Sequence, residues 1–139
     1  MNDLLNDSLH TIAEKIDELI QRNDRIENIV EGIIGFILES ANTNPHRIKF
    51  VIMLLNDFSI PNKPSVREQI LRIGETLIEK GRESGSIRNE ITVEDFYIAL
   101  VGIPLQYLAT RFRFDFGPHD CNLDAETRKI TELSMCAIK

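Results

Sequence analysis

The sequence lacks the marks of a secreted or membrane protein. Its only cysteines are Cys121 and Cys136; the pair would permit a disulfide, but no leader of basic and then apolar residues opens the chain. We therefore expect reduced thiols in a cytoplasmic protein. The longest apolar stretch, residues 98–109, is interrupted by Pro104 and Gln106 and is too short to span a bilayer. No membrane partner is expected.

Positive charge is also scarce where a nucleic-acid surface would need it. The net charge is −6, and residues 1–43 hold nine acidic and three basic side chains, whereas the rest holds thirteen of each. No cluster of lysine and arginine has the density of a phosphate-binding surface. We therefore expect no nucleic-acid contact by this chain alone.

Catalytic and metal-binding motifs are missing or incomplete. The tripeptide DFG at 115–117 matches a kinase signature, but no glycine-rich loop, lysine strand or catalytic loop accompanies it. The sequence HDC at 119–121 offers metal-ligand types without the second pair that a site requires. No Ser/His/Asp or Cys/His arrangement has a recognisable spacing, and no glycine loop is suited to phosphate. We expect neither an enzyme nor a cofactor or metal, and a small helical enzyme is the least supported alternative.

Helical periodicity is the strongest signal that the sequence contains. The chain has 139 residues, enough for a single domain spanning residues 1–139. Apolar residues recur in steps of three and four, as on one face of a helix, and no strand pattern or internal repeat competes. The pattern predicts an all-α bundle of about six helices, at about 5–20, 26–38, 45–55, 64–84, 93–114 and 124–138.

Several helix ends are marked by residues with a known capping role. Asn44 precedes Pro45 and predicts a helix start. Gly85 is placed to end a helix in the left-handed conformation. Thr92 and Asp95 form a capping box, with aspartate in place of the usual glutamate or glutamine. Asp124 is expected to cap the last helix.

Two helices carry features beyond a simple amphipathic stripe. In the second, Gly32 and Gly35 predict close packing or space for a bound molecule. The helix at 93–114 is apolar on nearly every side, so its second face is expected to meet another subunit. Pro104 is expected to kink that helix.

Three segments in a fixed order carry a family resemblance. The segment KGRESGSIR at 80–88 ends one helix, and TVEDF at 92–96 opens a capped apolar helix. Asn44 and Pro45 open an earlier helix with aromatic and aliphatic residues behind it. This order resembles the C-terminal regulatory domain of the tetracycline-repressor (TetR) family, in which a G…xxG-x-[ILF]-R segment precedes the two dimer-interface helices. The resemblance runs from about Leu4 to the C-terminus.

The resemblance implies a fold and a function. The expected fold is a TetR C-terminal-domain-like helical bundle that forms a homodimer through its last two helices. The expected function is effector binding and dimerisation in a transcriptional regulator such as a repressor, with operator DNA as a partner only where a DNA-binding head is present. The family's helix-turn-helix head is missing before Leu4, so the chain is expected to be either a fragment or a naturally headless protein. The alternative function is a headless interaction protein that heterodimerises with full-length regulators.

The resemblance also implies site residues. Proteins of this family bind small molecules inside the helical domain, and we expect an apolar or aromatic effector here. The expected ligand-binding residues are Phe36, Phe50, Met53, Leu54, Leu77, Phe96, Leu100, Ile103, Gln106 and Tyr107, with Tyr97 one helix face away. The expected dimer-interface residues are Leu105, Leu108, Phe112, Ile130, Leu133 and Ala137. For any one of the apolar residues, ordinary core is the more common role, whereas Gln106 can equally make a hydrogen bond between subunits.

Overall fold

The described residues form six helices and no strand. The computed structural model of the chain describes residues 2–22, 25–59, 63–114 and 122–139. The helices are α1 (Asn2–Arg22), α2 (Ile26–Thr43), α3 (Pro45–Leu55), α4 (Pro64–Ser84), α5 (93–114) and α6 (Leu123–Ile138). The prediction of an all-α bundle with about six helices is confirmed. No helix within these ranges is long and apolar enough to cross a membrane.

Helix α2 is the centre of the bundle. Ile26, Ile29, Val30, Ile33 and Ile34 are all 0 % exposed, so the broad apolar face of this helix is fully covered by the rest of the chain. Its most extensive packing is against α6, and it also contacts α1, α3, α4 and α5. Burying so many β-branched side chains supplies a large share of the hydrophobic stabilisation of the fold.

The helix ends follow local capping rules, with one correction. The Asn44 side chain accepts a hydrogen bond from the Arg47 N–H, and Gly85 ends α4 with a φ of 69°. Thr92 and Asp95 form the reciprocal bonds of a capping box. The cap of α6 is Asn122 rather than the predicted Asp124, which lies in the first turn and donates its N–H to Asn122. Asn122 precedes the first helical residue and so has the non-helical backbone that a cap requires.

Helix α5 contains a turn of π-helix just before its proline. It consists of α-helix at Val93–Tyr97, π-helix at Ile98–Gly102 and α-helix at Ile103–Phe114. Pro104 has no N–H, and its ring would collide with a carbonyl four residues earlier. The Ile103 N–H instead donates to the Ile98 carbonyl, five residues back. The sequence predicts a kink at Pro104; the structure has a backbone hydrogen bond that spans five residues instead of four just before it.

Glycines allow two close helix contacts. A Cβ on Gly32 would lie 2.7 Å from the Leu19 side chain of α1, so the predicted close packing at this glycine is confirmed. A Cβ on Gly74 of α4 would lie 2.5 Å from Val93 at the start of α5. Gly35 differs, because the nearest side-chain atom would lie at an ordinary contact distance. Gly32 and Gly74 therefore set the spacing of α1 to α2 and of α4 to α5.

Arg88 fastens the crossover between α4 and α5 to the end of α6. Its backbone N–H donates to the Ile138 carbonyl at 3.0 Å. Its guanidinium donates to the carbonyls of Lys139 at 3.0 Å and Ala137 at 2.8 Å. These carbonyls at a helix C-terminus have no intrahelical partner. One arginine thus caps α6 and holds the crossover in place.

Candidate functional site

A cleft between α1, α4 and α5 is the candidate site. Its inner part has a volume of about 40 Å³ and is almost wholly apolar. Three helices form the walls of this inner part. The lining residues are Leu9, Ile12, Ala13 and Ile16 of α1, Ile70, Ile73, Gly74 and Leu77 of α4, and Val93, Phe96, Tyr97, Leu100 and Val101 of α5. This space is too small for a whole effector, because ligand pockets are typically about 300–1,000 Å³.

The cleft widens where α3 ends. The outer part has a volume of about 620 Å³. It shares Leu9, Ile70, Val93 and Tyr97 with the inner part and adds Leu5, Leu54, Leu55, Asp57, Phe58, Val66, Arg67, Leu71 and Glu94. The four shared residues make the two parts neighbours. The inner part is small and almost wholly apolar, and the outer part, or mouth, is larger and carries polar groups.

The mouth carries the charged groups of the cleft. Asp57, Arg67 and Glu94 line the outer part, whereas none of the described side chains that line the inner part is charged. Ser59 donates to the Asp57 carboxylate through its hydroxyl at 2.6 Å and its backbone N–H at 3.1 Å. These hydrogen bonds hold the pKa of Asp57 below its usual value, so this carboxylate is ionised at neutral pH.

Several predicted ligand-binding residues meet in this cleft. Leu77, Phe96 and Leu100 lie together in the wall of the inner part, and Leu54 lines the outer part. Tyr97 lies at the junction of the two parts. Burial raises the pKa of its hydroxyl, so Tyr97 is neutral and can donate a hydrogen bond at physiological pH.

Other predicted ligand-binding residues lie elsewhere. Phe36 lines a separate groove of about 580 Å³ between α1, α2 and α3. Phe50 and Met53 are exposed on the outer face of α3. Ile103 is half-buried and packs on the main core. The sequence grouped these residues because they are apolar, but helix rotation turns them towards different parts of the molecule.

The two predicted polar contacts are outside the cleft. Gln106 is exposed, and its Nε2 lies 3.5 Å from Thr110 Oγ1. Its apolar sequence neighbours suggested a buried amide, but the side chain points to solvent. Tyr107 is half-buried beside Glu126, and burial followed by the charge of Glu126 raises its pKa. Glu126 is itself buried and accepts a 2.6 Å hydrogen bond from Arg111, so Arg111 and Glu126 form an ion pair that joins α5 to α6 within the chain.

The predicted dimer residues divide between the core and the surface. Leu105, Leu108 and Ile130 are buried within the chain itself, which leaves little of their area for a second subunit. Phe112 and Ala137 are half-buried, and Lys49 Nζ lies 5.0 Å from the centre of the Phe112 ring. Leu133 is 52 % exposed on α6, and Ile98, which the sequence did not single out, is 50 % exposed on α5.

Sequence reasoning missed the contribution of α1 to the cleft. Leu9, Ala13 and Ile16 form one wall of its inner part. The available signal was the stripe from Leu5 to Ile20, which predicts a buried face but not what that face covers. Nothing local in the sequence indicates that α1 packs on α4 and lines this cleft together with α5.

Metal ligands do not gather in the described ranges. No group of three or more histidine, cysteine, aspartate or glutamate side chains there could hold a metal ion. The sequences at 115–117 and 119–121 lie outside those ranges. Cys136 is exposed as a free thiol.

Comparison with protein-family models, with curated protein sequences and with solved structures gave no significant match. A function for this chain is therefore inferred from its residues and its geometry.

Proposed function

We propose that this chain is the effector-binding and dimerisation domain of a TetR-like transcriptional regulator. The proposed effector is a small, largely apolar molecule, and the role is regulatory rather than catalytic. The cleft between α1, α4 and α5 carries the proposal. It combines an apolar inner end, a mouth large enough for a small molecule and a few polar groups, which together are typical of ligand sites.

Helix α1 links the cleft to the rest of a regulator. A molecule that enters the inner part must push against Leu9, Ala13 and Ile16, because these side chains form the α1 wall. On the solvent side, polar contacts between α1 and α4 include His10 to Gln69 at 3.0 Å and Asp17 to Arg72 at 3.9 Å. Exposed contacts of this kind contribute little free energy, so breaking them adds little to the cost of displacing α1.

Ligand binding would then act by linkage. The chain can be pictured with α1 in its present position or with α1 displaced. An effector that fits only the displaced arrangement shifts the equilibrium towards it, by an amount set by the difference in its affinity for the two arrangements. In the TetR-like regulator proposed here, α1 is the helix that follows the DNA-binding head. Displacing it changes the separation of the two heads of a dimer and with it the affinity for operator DNA.

The outward faces of α5 and α6 are the proposed dimer interface. Ile98 and Leu133 are large apolar side chains left half-exposed on these two helices. Gly102 and Gln106 follow Ile98 along α5 at intervals of four residues, so they lie on the same face. Two copies that pair through these helices form a four-helix interface with two-fold symmetry.

A ligand screen with a blocked variant tests the effector site. Library compounds are screened for an increase in the melting temperature of the chain, and the dissociation constants of hits are measured by calorimetry. Leu71→Trp places a large ring in the outer part of the cleft, where open space can receive it. We expect this variant to fold and to bind hits at least tenfold more weakly.

The matched control is Asn42→Trp, which places the same ring on an exposed position of α2 that lines neither part of the cleft. It should bind as wild type does. A library that gives no hit, or hits that bind Leu71→Trp normally, would remove the support for an effector site in this cleft. Heterodimer formation with full-length regulators in the absence of any ligand would favour the alternative of a headless interaction protein.

A further inference from the structure

We infer that the effector is a cationic amphiphile, with an apolar end in the inner part of the cleft and a positively charged end at its mouth. This inference rests on the proposed function and specifies the ligand of the same site. It follows from how polarity is distributed along the cleft, from the charges at the mouth and from the aromatic rings near them.

The direction of the ligand follows from the lining. Apart from the hydroxyl of Tyr97, the described lining of the inner part consists of carbon atoms of aliphatic and aromatic side chains. A charged group placed there would lose its hydration without gaining a partner, which is strongly unfavourable. The small inner volume admits only a narrow apolar group. The polar end of a ligand that occupies both parts therefore lies in the outer part.

The sign of the ligand's charge follows from the charged residues that line the outer part of the cleft. Among the described residues, two carboxylates, Asp57 and Glu94, line the outer part, against one guanidinium, that of Arg67. The lowered pKa of Asp57 keeps its negative charge at neutral and mildly acidic pH. The whole chain has a net charge of −6, which raises the local concentration of cations over that of anions. A positive group is thus favoured both at long range and in the cleft.

Aromatic rings add a second preference for a cation. Phe58 and Tyr97 both line the outer part. The face of an aromatic ring attracts an ammonium group, most strongly when the group is weakly hydrated, as in quaternary ammonium compounds. Phe58 is 93 % exposed, so its ring is available to close over a bound head group. An anionic or neutral head gains nothing comparable from these rings.

Three probes of equal chain length test the inference. Octyltrimethylammonium, octyl sulfate and 1-octanol are titrated into the full chain by calorimetry, each below the concentration at which it forms micelles or separates from solution. We expect the ammonium compound to bind at least about fivefold more tightly than octanol, and octyl sulfate to bind more weakly than octanol, as exposed charge pairs of modest strength imply.

Charge variants locate the head group. Glu94→Gln and Asp57→Asn should each weaken binding of the ammonium compound about threefold and leave octanol binding unchanged. Arg67→Gln should strengthen ammonium binding. Glu132→Gln is the matched control, because Glu132 is exposed on α6, which lines neither part of the cleft. Melting curves of each variant confirm that the fold is retained.

The outcomes separate this inference from the proposed function. Equal or tighter binding of octanol or octyl sulfate would overturn the cationic class, while an effector site blocked by Leu71→Trp would still stand. Ammonium binding that survives Leu71→Trp would place the compound outside the cleft and overturn the inference. Failure of all three probes alongside other library hits would overturn the ligand class alone, whereas failure of probes and library together would overturn both proposals.

Discussion

The hydroxyl of Ser134 is fully buried in α6 without a hydrogen-bond partner in the described part of the chain. Leaving a buried polar group unpaired costs free energy that its removal recovers. We expect Ser134→Ala to raise the free energy of unfolding by about 1 kcal/mol, measured by urea denaturation. Ser40→Ala is the matched control, because the Ser40 hydroxyl donates to the Phe36 carbonyl at 2.8 Å. An equal gain in both variants would show that helix propensity alone is responsible.

His10 makes the stability of the chain depend on pH. Its Nδ1 lies 3.0 Å from Gln69 Oε1 on α4, and its Nε2 lies 2.9 Å from Glu14 Oε1. The hydrogen bond to Gln69, and then the charge of Glu14, raise the pKa of His10 above 6.5. The stability that His10 contributes to the folded chain is therefore fully present below about pH 6.5, the ordinary pKa of histidine. This stability is lost as the pH rises through the higher pKa of His10 in the folded state.

Urea denaturation of wild type and His10→Gln between pH 5.5 and 8.5 tests this dependence. The two proteins should differ most in stability at the acid end, with wild type the more stable, and the difference should shrink as the pH rises. Parallel pH profiles would show that His10 is not protonated preferentially in the folded chain. The rest of the chain is the same in both proteins, so the difference between the two profiles isolates the contribution of His10.

The surroundings of single residues were the least predictable feature of the sequence. Gln106 has apolar neighbours along the chain, yet its side chain is exposed. Ile130 and Leu133 lie three residues apart on α6, and the first is fully buried while the second is half-exposed. The spacing of apolar residues along a helix shows which residues share a face, but not whether that face contacts the core, a cleft or solvent.

At the scale of helices, the contact between α4 and α5 depends on the missing side chain of Gly74. A methyl group there would overlap Val93, whose β-branched side chain has few rotamers to escape into. We expect Gly74→Ala to lower the free energy of unfolding by about 1–3 kcal/mol through overpacking, even though alanine is the better helix former. Thermal and urea denaturation measure the loss.

Gly35→Ala is the matched control for this contact. Gly35 also lies within a helix, but an added Cβ would meet Thr127 at an ordinary distance of 3.5 Å. The same substitution should therefore stabilise the chain here by up to about 1 kcal/mol through helix propensity. If both variants gained stability, the close approach at Gly74 would not constrain the packing.

The helices themselves were predictable because their signals are local. The caps at Asn44 and Gly85 and the capping box of Thr92 and Asp95 depend on residues a few positions apart, and the structure contains all of them. The π-helical turn before Pro104 was not predicted. A proline within a helix has several solutions, and the choice depends on how both ends of the helix pack.

At the scale of the whole molecule, the exposed faces of α5 and α6 predict a dimer. Replacing Ile98 or Leu133 with glutamate puts a charge in the proposed interface, where it would be desolvated without a partner. We expect each variant to be monomeric by sedimentation at concentrations where wild type is dimeric. Circular dichroism should be unchanged, because both side chains are half-exposed in the single chain.

Met53→Glu is the control for this dimer prediction. Met53 is 53 % exposed on α3, away from the proposed interface, so it matches Leu133 in exposure. This variant should dimerise as wild type does. A wild-type chain that sediments as a monomer at every concentration would contradict the interface altogether.

The arrangement of the helices was beyond the sequence. The bundle places α2 at its centre, whereas the sequence singles out the helix at 93–114 as apolar on nearly every side. The cleft likewise depends on α1 meeting α4 and α5, although α2 and α3 separate α1 from them along the chain. Contacts between distant segments leave no periodic trace in a single sequence, so helices were predicted more fully than the site between them.

The π-helical turn gives α5 one residue more than an uninterrupted α-helix would need. Within an ordinary helix each residue advances the chain by about 100°, so a deletion misdirects every side chain beyond it. Deleting Gly102 would instead leave the bond from the Ile103 N–H to the Ile98 carbonyl spanning four residues, as in an α-helix. Such a deletion would restore the α-helical period directly before Pro104, where the proline ring collides with a carbonyl four residues earlier. The additional residue is therefore what allows α5 to continue through its proline.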